Sequence, residues 1–181
     1  MNLFVLSQIV GSFGAIAMII SMWQKERKKI LFYLIFDNIF YAIHYLILNA
    51  YTGALSNIVG LIRIYLFGKK DRLKQRTNNI ILIVICLIYM EIGLISYDGP
   101  TSLFPIVASI TYCLVIWQNK PKNIRLGTAV MLILWFLYNC YIGSYVGMLT
   151  EGLLFISSVI AIIKIDILKI KGEKKNDRRK H

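Results

Sequence analysis

The chain has 181 residues, 57% of them hydrophobic, and 21 Lys and Arg against nine Asp and Glu give it a net charge of +12. In a soluble protein such a charge would point to nucleic acid. Here twenty of the 21 basic residues fall in alternate gaps between seven apolar stretches, a pattern that excludes a soluble core and leaves no room for an extramembrane domain.

The predicted spans lie roughly at 3–22, 31–49, 52–67, 78–96, 102–117, 126–142 and 145–165. Each approaches the ~20 residues that cross ~30 Å of hydrocarbon at a helical rise of ~1.5 Å. The first span lacks a positively charged stretch before its apolar run, so a retained helix is expected rather than a cleaved leader. Basic residues cluster at Lys25–Lys29 after span one, Lys69–Arg76 after span three, Lys120–Arg125 after span five, and from Lys164 to Lys180 after span seven. The other gaps, Asn49–Tyr51, Ser96–Thr101 and Tyr141–Ser144, hold no Lys or Arg. Cytoplasmic loops collect positive charge, so the N-terminus is expected outside and the C-terminus in the cytoplasm of a bacterial plasma membrane. The tail 169–181 reads as a solvated topology flank, with anionic headgroups as a minor alternative contact. Cys86, Cys113 and Cys140 each fall inside a span without CxxC spacing, so packing is expected of them, with neither a metal site nor a disulfide framework.

The chain nearly repeats itself at an offset of 94 residues over 23–63 and 117–157. Trp23-Gln24 matches Trp117-Gln118, Lys28 matches Lys122, and Tyr51, Gly53 and Leu55 match Tyr145, Gly147 and Leu149. Each copy takes three helices. Three is odd, so a fourth crossing between the copies is needed to give both the same orientation. The domain layout expected is a membrane domain over 1–168, made of repeat one (1–68), a linker helix (78–96) and repeat two (101–165), followed by the basic tail. A parallel repeat related by an axis along the membrane normal is a known transporter arrangement.

This 3+1+3 pattern, with a glutamine in the loop between the first two helices, resembles the SWEET and PQ-loop superfamily and transporters of the PnuC type. Length, bare layout and the two WQ pairs look most similar to the bacterial YgjV-type inner-membrane proteins. The fold implied is an all-α integral membrane protein of seven helices, SWEET-like, in two three-helix bundles. The chain departs from the PQ signature, because Trp23-Gln24 and Trp117-Gln118 stand where Pro-Gln would be. Gly11 also faces Pro105 under the offset, which puts a proline-based hinge in doubt.

Ionisable groups in a bilayer are costly and need an account. Asp37, Tyr41 and His44 share one face of helix 2, flanked by Asn38 and Tyr45. They read either as the wall of an aqueous pathway or as packed polar groups with local partners. Under the offset Tyr41 corresponds to Trp135, His44 to Tyr138, Tyr45 to Asn139, Ser56 to Thr150 and Asn57 to Glu151. The SWEET-like resemblance implies a central site from polar residues on the third helix of each repeat and aromatics on the second. The candidate substrate-binding residues are therefore Tyr41, His44, Asn57, Trp135, Asn139 and Glu151, with interhelical packing as the competing reading. Arg63, one turn from the basic end of helix 3, is expected to snorkel or to pair with Asp37.

No Walker loop, HExxH, CxxC or serine–histidine spacing is visible, and Lys164 is too close to the basic end for a retinal site. The expectation is a transporter or facilitator for a polar, ring-bearing solute, without enzymatic activity, cofactor or nucleic-acid partner. Lipid is its surrounding medium, and a homo-oligomer is compatible with it. The competing expectation is a non-transporting immunity, assembly or accessory subunit.

Overall fold

The computed structural model describes residues 2–24, 26–117 and 121–163. Among these are seven α-helices: α1 (Leu3–Trp23), α2 (Arg27–Ile47), α3 (Tyr51–Gly68), α4 (Gln75–Ile95), α5 (Leu103–Trp117), α6 (Pro121–Ile142) and α7 (Tyr145–Ala161). Short 3₁₀ turns at Lys70–Arg72 and Pro100–Ser102 lead into α4 and α5. The Trp23 side chain, Gln118 and the tail 169–181 lie outside the described residues, so the pairing of the two WQ loops does too.

Four stretches are long and apolar enough to cross a membrane: Leu3–Ser21, Lys28–Ile47, Gln75–Ile95 and Pro100–Trp117. In α6 and α7 the apolar part is shorter, at Leu126–Ile142 and Tyr145–Ile160. Polar residues stand on two of the helices, Thr52, Ser56, Asn57 and Arg63 on α3 and Thr150, Glu151, Ser157 and Ser158 on α7. Large apolar residues face outward, as on α4, where Leu94 is 74% and Ile95 79% exposed. That is the surface lipid requires and water would penalise.

Local sequence sets the helix ends. The Asn2 side chain accepts from the Phe4 amide at 3.0 Å and caps α1. At the other end of α2, Asn49 adopts φ 58° and lets the Ala50 amide reach back to the Tyr45 carbonyl at 2.8 Å. Ninety-four residues on, Gly143 adopts φ 72° and the Ser144 amide reaches the Asn139 carbonyl at 3.0 Å. Both α2 and α6 thus stop in the same left-handed C-cap, which returns the chain at once into α3 or α7.

Helix contacts close into a ring. α1 packs on α2, α2 on α3, α3 on α5, α5 on α6, α6 on α7, and α7 returns to α1. α4 lies outside this ring against α3 and α5. An apolar cluster of Val59, Phe67, Ile85, Tyr89, Ile92, Ile106 and Cys113 cements α3, α4 and α5. The turns after α2, α4 and α6, free of Lys and Arg, lie at one end of the ring, called here the turn end, where Thr52 meets Ser96 and Gln8 meets Gly143. The opposite end, where Lys70 lies over the Trp117 ring, is called the basic end.

Candidate functional site

The ring encloses a cavity of about 610 Å³, within the range of small-ligand sites. Its lining comes from α2, α3, α5, α6 and α7, with Met18 as the contribution of α1 and none from α4. Ile30 and Leu31 of α2, Phe67 of α3 and Ile116 of α5 carry it to the last turns at the basic end. Toward the turn end it stops at Tyr45, Ser56 and Thr150.

The floor is aromatic. Tyr45 stacks on Trp135 across the ring, with centroids 5.8 Å apart and planes 12° apart. Tyr41 leans on Tyr45 at 5.7 Å with its plane tilted by 30°, so three polarisable rings meet here. Three charged residues join them. Arg63 lies over the Tyr112 ring at 4.6 Å and donates to the Tyr89 hydroxyl at 3.3 Å, so it turns inward. The expected snorkelling toward headgroups is not what it does, because an aromatic face and a phenol oxygen are within its reach. Asp37 accepts from the Asn38 side-chain amide at 3.3 Å and is within electrostatic reach of Arg63. Glu151 is in turn within electrostatic reach of Asp37.

Four buried side-chain polar atoms lack a hydrogen-bond partner among the described residues, and three line this cavity: Tyr41 Oη, Ser56 Oγ and Glu151 Oε2. Thr150, beside Tyr41, gives its own hydroxyl proton to the Val146 carbonyl at 2.8 Å.

The lining keeps the 94-residue offset. Eighteen of its 25 residues form nine offset pairs, among them Met18 with Tyr112, Tyr41 with Trp135, Ser56 with Thr150 and Asn57 with Glu151. Three of the pairs differ in charge: Asp37 matches Met131, Asn57 matches Glu151, and Arg63 matches Ser157.

Of the six sequence-predicted site residues, Tyr41, Asn57, Trp135 and Glu151 line the cavity. Asn57 gives a side-chain amide proton to the Gly53 carbonyl at 2.9 Å. His44 and Asn139 are placed elsewhere, in a plug between the cavity floor and the turn end, and both are fully buried. His44 Nδ1 lies 2.7 Å from the Ser7 carbonyl, which can only accept, so Nδ1 carries the proton. Nε2 then accepts from the Ser144 hydroxyl at 2.7 Å, and Ser144 Oγ takes the Gly147 amide at 3.2 Å. Asn139 Oδ1 accepts from the Tyr45 hydroxyl at 2.9 Å, joining two residues that are each other's offset mates. The hydroxyl oxygen of Tyr138, the offset mate of His44, accepts the Gly53 amide at 3.1 Å. α2 therefore reaches the N-cap of α7, and α6 the first turn of α3.

Close packing permits the crossing. A Cβ on Gly53 would lie 2.8 Å from the Tyr138 ring, and one on Gly147 would lie 2.4 Å from the Asn139 amide. Gln8 of α1 completes the plug, accepting from the Val146 amide at 3.2 Å. Gln8, Tyr112 and Ser144 do not stand out from single-helix periodicity, and Tyr112 lies outside the repeat at 117–157.

Among the described residues no group of three or more His, Cys, Asp or Glu could hold a metal ion. Cys86, Cys113 and Cys140 are free thiols, half-buried, buried and exposed in turn.

A family model described as a bacterial inner membrane protein, Imp-YgjV, matches residues 5–169. The inner membrane protein YgjV of Escherichia coli (strain K12) is 21% identical over 173 residues, covering 95% of this chain and 91% of that protein. No solved structure matches the chain. With its outward apolar faces and its match over nearly the whole length, the chain belongs to the Imp-YgjV family of bacterial inner membrane proteins.

Proposed function

We propose that the protein is a small-solute transporter or facilitator that works by alternating access between two three-helix units, α1–α3 and α5–α7, with α4 as the connecting crossing. One observation carries this reading: a ligand-sized cavity runs to the basic end, is closed by a hydrogen-bonded plug at the turn end, and is lined by residues paired across the 94-residue offset. Matched halves around a blocked site are what a rocking transporter needs, because the same contacts can break on one side and form on the other. The lining fits a polar solute with a flat ring, held on Tyr41, Tyr45 and Trp135. No nucleotide-binding motif stands in the sequence, so the driving force is a solute or ion gradient.

In this reading all seven helices cross the membrane, the polar ones shielded by the cavity, with the N-terminus outside. Cysteines placed at Asn49 and Asp98 should label from outside intact cells, whereas one at Lys70 should not; labelling at Lys70 would reverse the orientation.

The test is untargeted metabolite uptake and efflux in cells with the protein, without it, and with Glu151→Ala or Asn57→Ala. A metabolite should follow the protein and be lost with either substitution at unchanged membrane levels. Normal levels of every variant with no metabolite change would leave an accessory or immunity role in its place.

A further inference from the structure

We propose that the solute is a monovalent organic cation, its flat part on the Tyr45–Trp135 stack and its positive centre at Glu151. This inference rests on reading the cavity as a solute site. It follows from how charge is shared between the two halves. The α1–α3 half brings Asp37 and Arg63, whose charges offset each other. The α5–α7 half brings Glu151, whose offset mate is the neutral Asn57, and no basic residue of its own to the lining. The lining thus holds two carboxylates and one guanidinium.

Arg63 is already engaged by the Tyr89 hydroxyl and the Tyr112 face, and Asp37 stands near it. An anionic solute would have to displace those contacts while passing Glu151. Glu151 Oε2 is the opposite case: buried, at the cavity floor, and without a partner among the described residues. Tyr41, 6% exposed, adds a second unpartnered oxygen in the same lining. A carboxylate and a phenol oxygen are acceptors, and the surrounding rings present negative faces to a cation. Aromatic walls favour an organic cation over a hydrated metal ion, and no metal-ligand cluster stands among the described residues.

The experiment uses the full chain in lipid nanodiscs, with empty nanodiscs as the partition control. Three probes share a ring and chain length and differ in charge: phenethylammonium, 2-phenylethanol and 3-phenylpropanoate. Calorimetry should find phenethylammonium bound about tenfold tighter than the alcohol, the scale of one charge-assisted contact, and the carboxylate weakest. Glu151→Gln should erase the preference of phenethylammonium over the alcohol. Asp37→Asn should reduce it less, since Arg63 already offsets that charge. Should Glu151→Gln fail to elute as folded protein, Glu151→Asp carries the test, because it keeps the charge and must keep the preference.

Equal or tighter binding of the alcohol or the carboxylate overturns the inference, as does a preference that survives Glu151→Gln or is lost in Glu151→Asp. Absence of ammonium binding also overturns it, and so does proton uptake on acidification without ammonium preference. Any of these can occur while the uptake experiment still finds a transported metabolite, so the transport reading is judged separately.

Discussion

The plug at the turn end and the cavity beneath it share helices α2, α3, α6 and α7, yet their polar groups are treated differently. In the plug His44, Tyr45, Tyr138 and Ser144 each find a partner between 2.7 and 3.1 Å, joining α2 to α6 and α7 and α6 to α3, and Asn139 Nδ2 is the one plug atom without a hydrogen-bond partner among the described residues. In the cavity, Tyr41, Ser56 and Glu151 each leave an oxygen unpartnered among the described residues. Polar groups joining membrane helices are normally satisfied locally. Residues left short of partners are where a protein gives up stability for something else. The plug therefore reads as the part that holds the helices together and, under the proposed transport reading, the cavity as the part that takes the solute.

The sharpest way to break this contrast is at the crossing point. Gly147→Val would drive a Cβ to 2.4 Å from the Asn139 amide and 2.6 Å from Ser144 Oγ. Both groups are held in the plug, so relaxation is difficult and about 3 kcal/mol or more should be lost. Gly152→Ala, one turn deeper, meets the Phe136 ring at an ordinary 3.5 Å and should change stability by less than about 0.5 kcal/mol. Thermal unfolding in detergent, followed by size-exclusion, separates the two. Equal losses would mean that the glycines are generic packing residues.

Next in size is His44→Ala. It leaves the Ser7 carbonyl and the Ser144 hydroxyl without their imidazole partner inside a buried plug, at a cost of about 2 kcal/mol. In cells the same change should loosen the closed end, so a cysteine at Ser144 should become reactive from the turn-end side in the variant background. A His44→Ala protein as stable as the parent, and still transporting, would make His44 dispensable to the closure.

How much of this was legible in the sequence divides along the same line. The helices were, because apolar run length and basic clustering are properties of one segment at a time. So was the pairing of Tyr41 with Trp135 and Asn57 with Glu151, because an offset needs no coordinates. His44 and Asn139 were misplaced for a physical reason. Helical periodicity gives the face a residue occupies, and Asp37, Tyr41 and His44 do share one. It does not say that the cavity floor crosses that face between Tyr41 and His44, which is set by the Tyr45–Trp135 stack from two distant helices. Arg63 shows the same gap. Its route to headgroups was visible in the sequence, but the inward alternative depends on Tyr89 and Tyr112, 26 and 49 residues away.

A smaller effect tests whether α2 and α6 are coupled through the plug. Tyr45 and Asn139 are offset mates bonded to each other, so Tyr45→Phe and Asn139→Ala should be non-additive. A double-mutant cycle should give about 1 kcal/mol, near the upper part of what polar contacts between membrane helices return. Additive losses would mean that the contact is incidental.

The smallest expected effect on stability is at Glu151, and it decides what the cavity is for. If Glu151 were packing glue, Glu151→Gln would cost stability wherever its carboxylate holds a neighbour. The Oε2 atom has no hydrogen-bond partner among the described residues, so glutamine, nearly the same size, should shift stability by less than about 0.5 kcal/mol in either direction. A carboxylate facing water or a cationic solute accounts for that indifference; one bonded to a helix would not. Thermal unfolding of Glu151→Gln, run beside His44→Ala, makes the comparison direct. A fall as large as that of His44→Ala would place Glu151 among the structural residues and remove the main reason to separate the cavity from the plug.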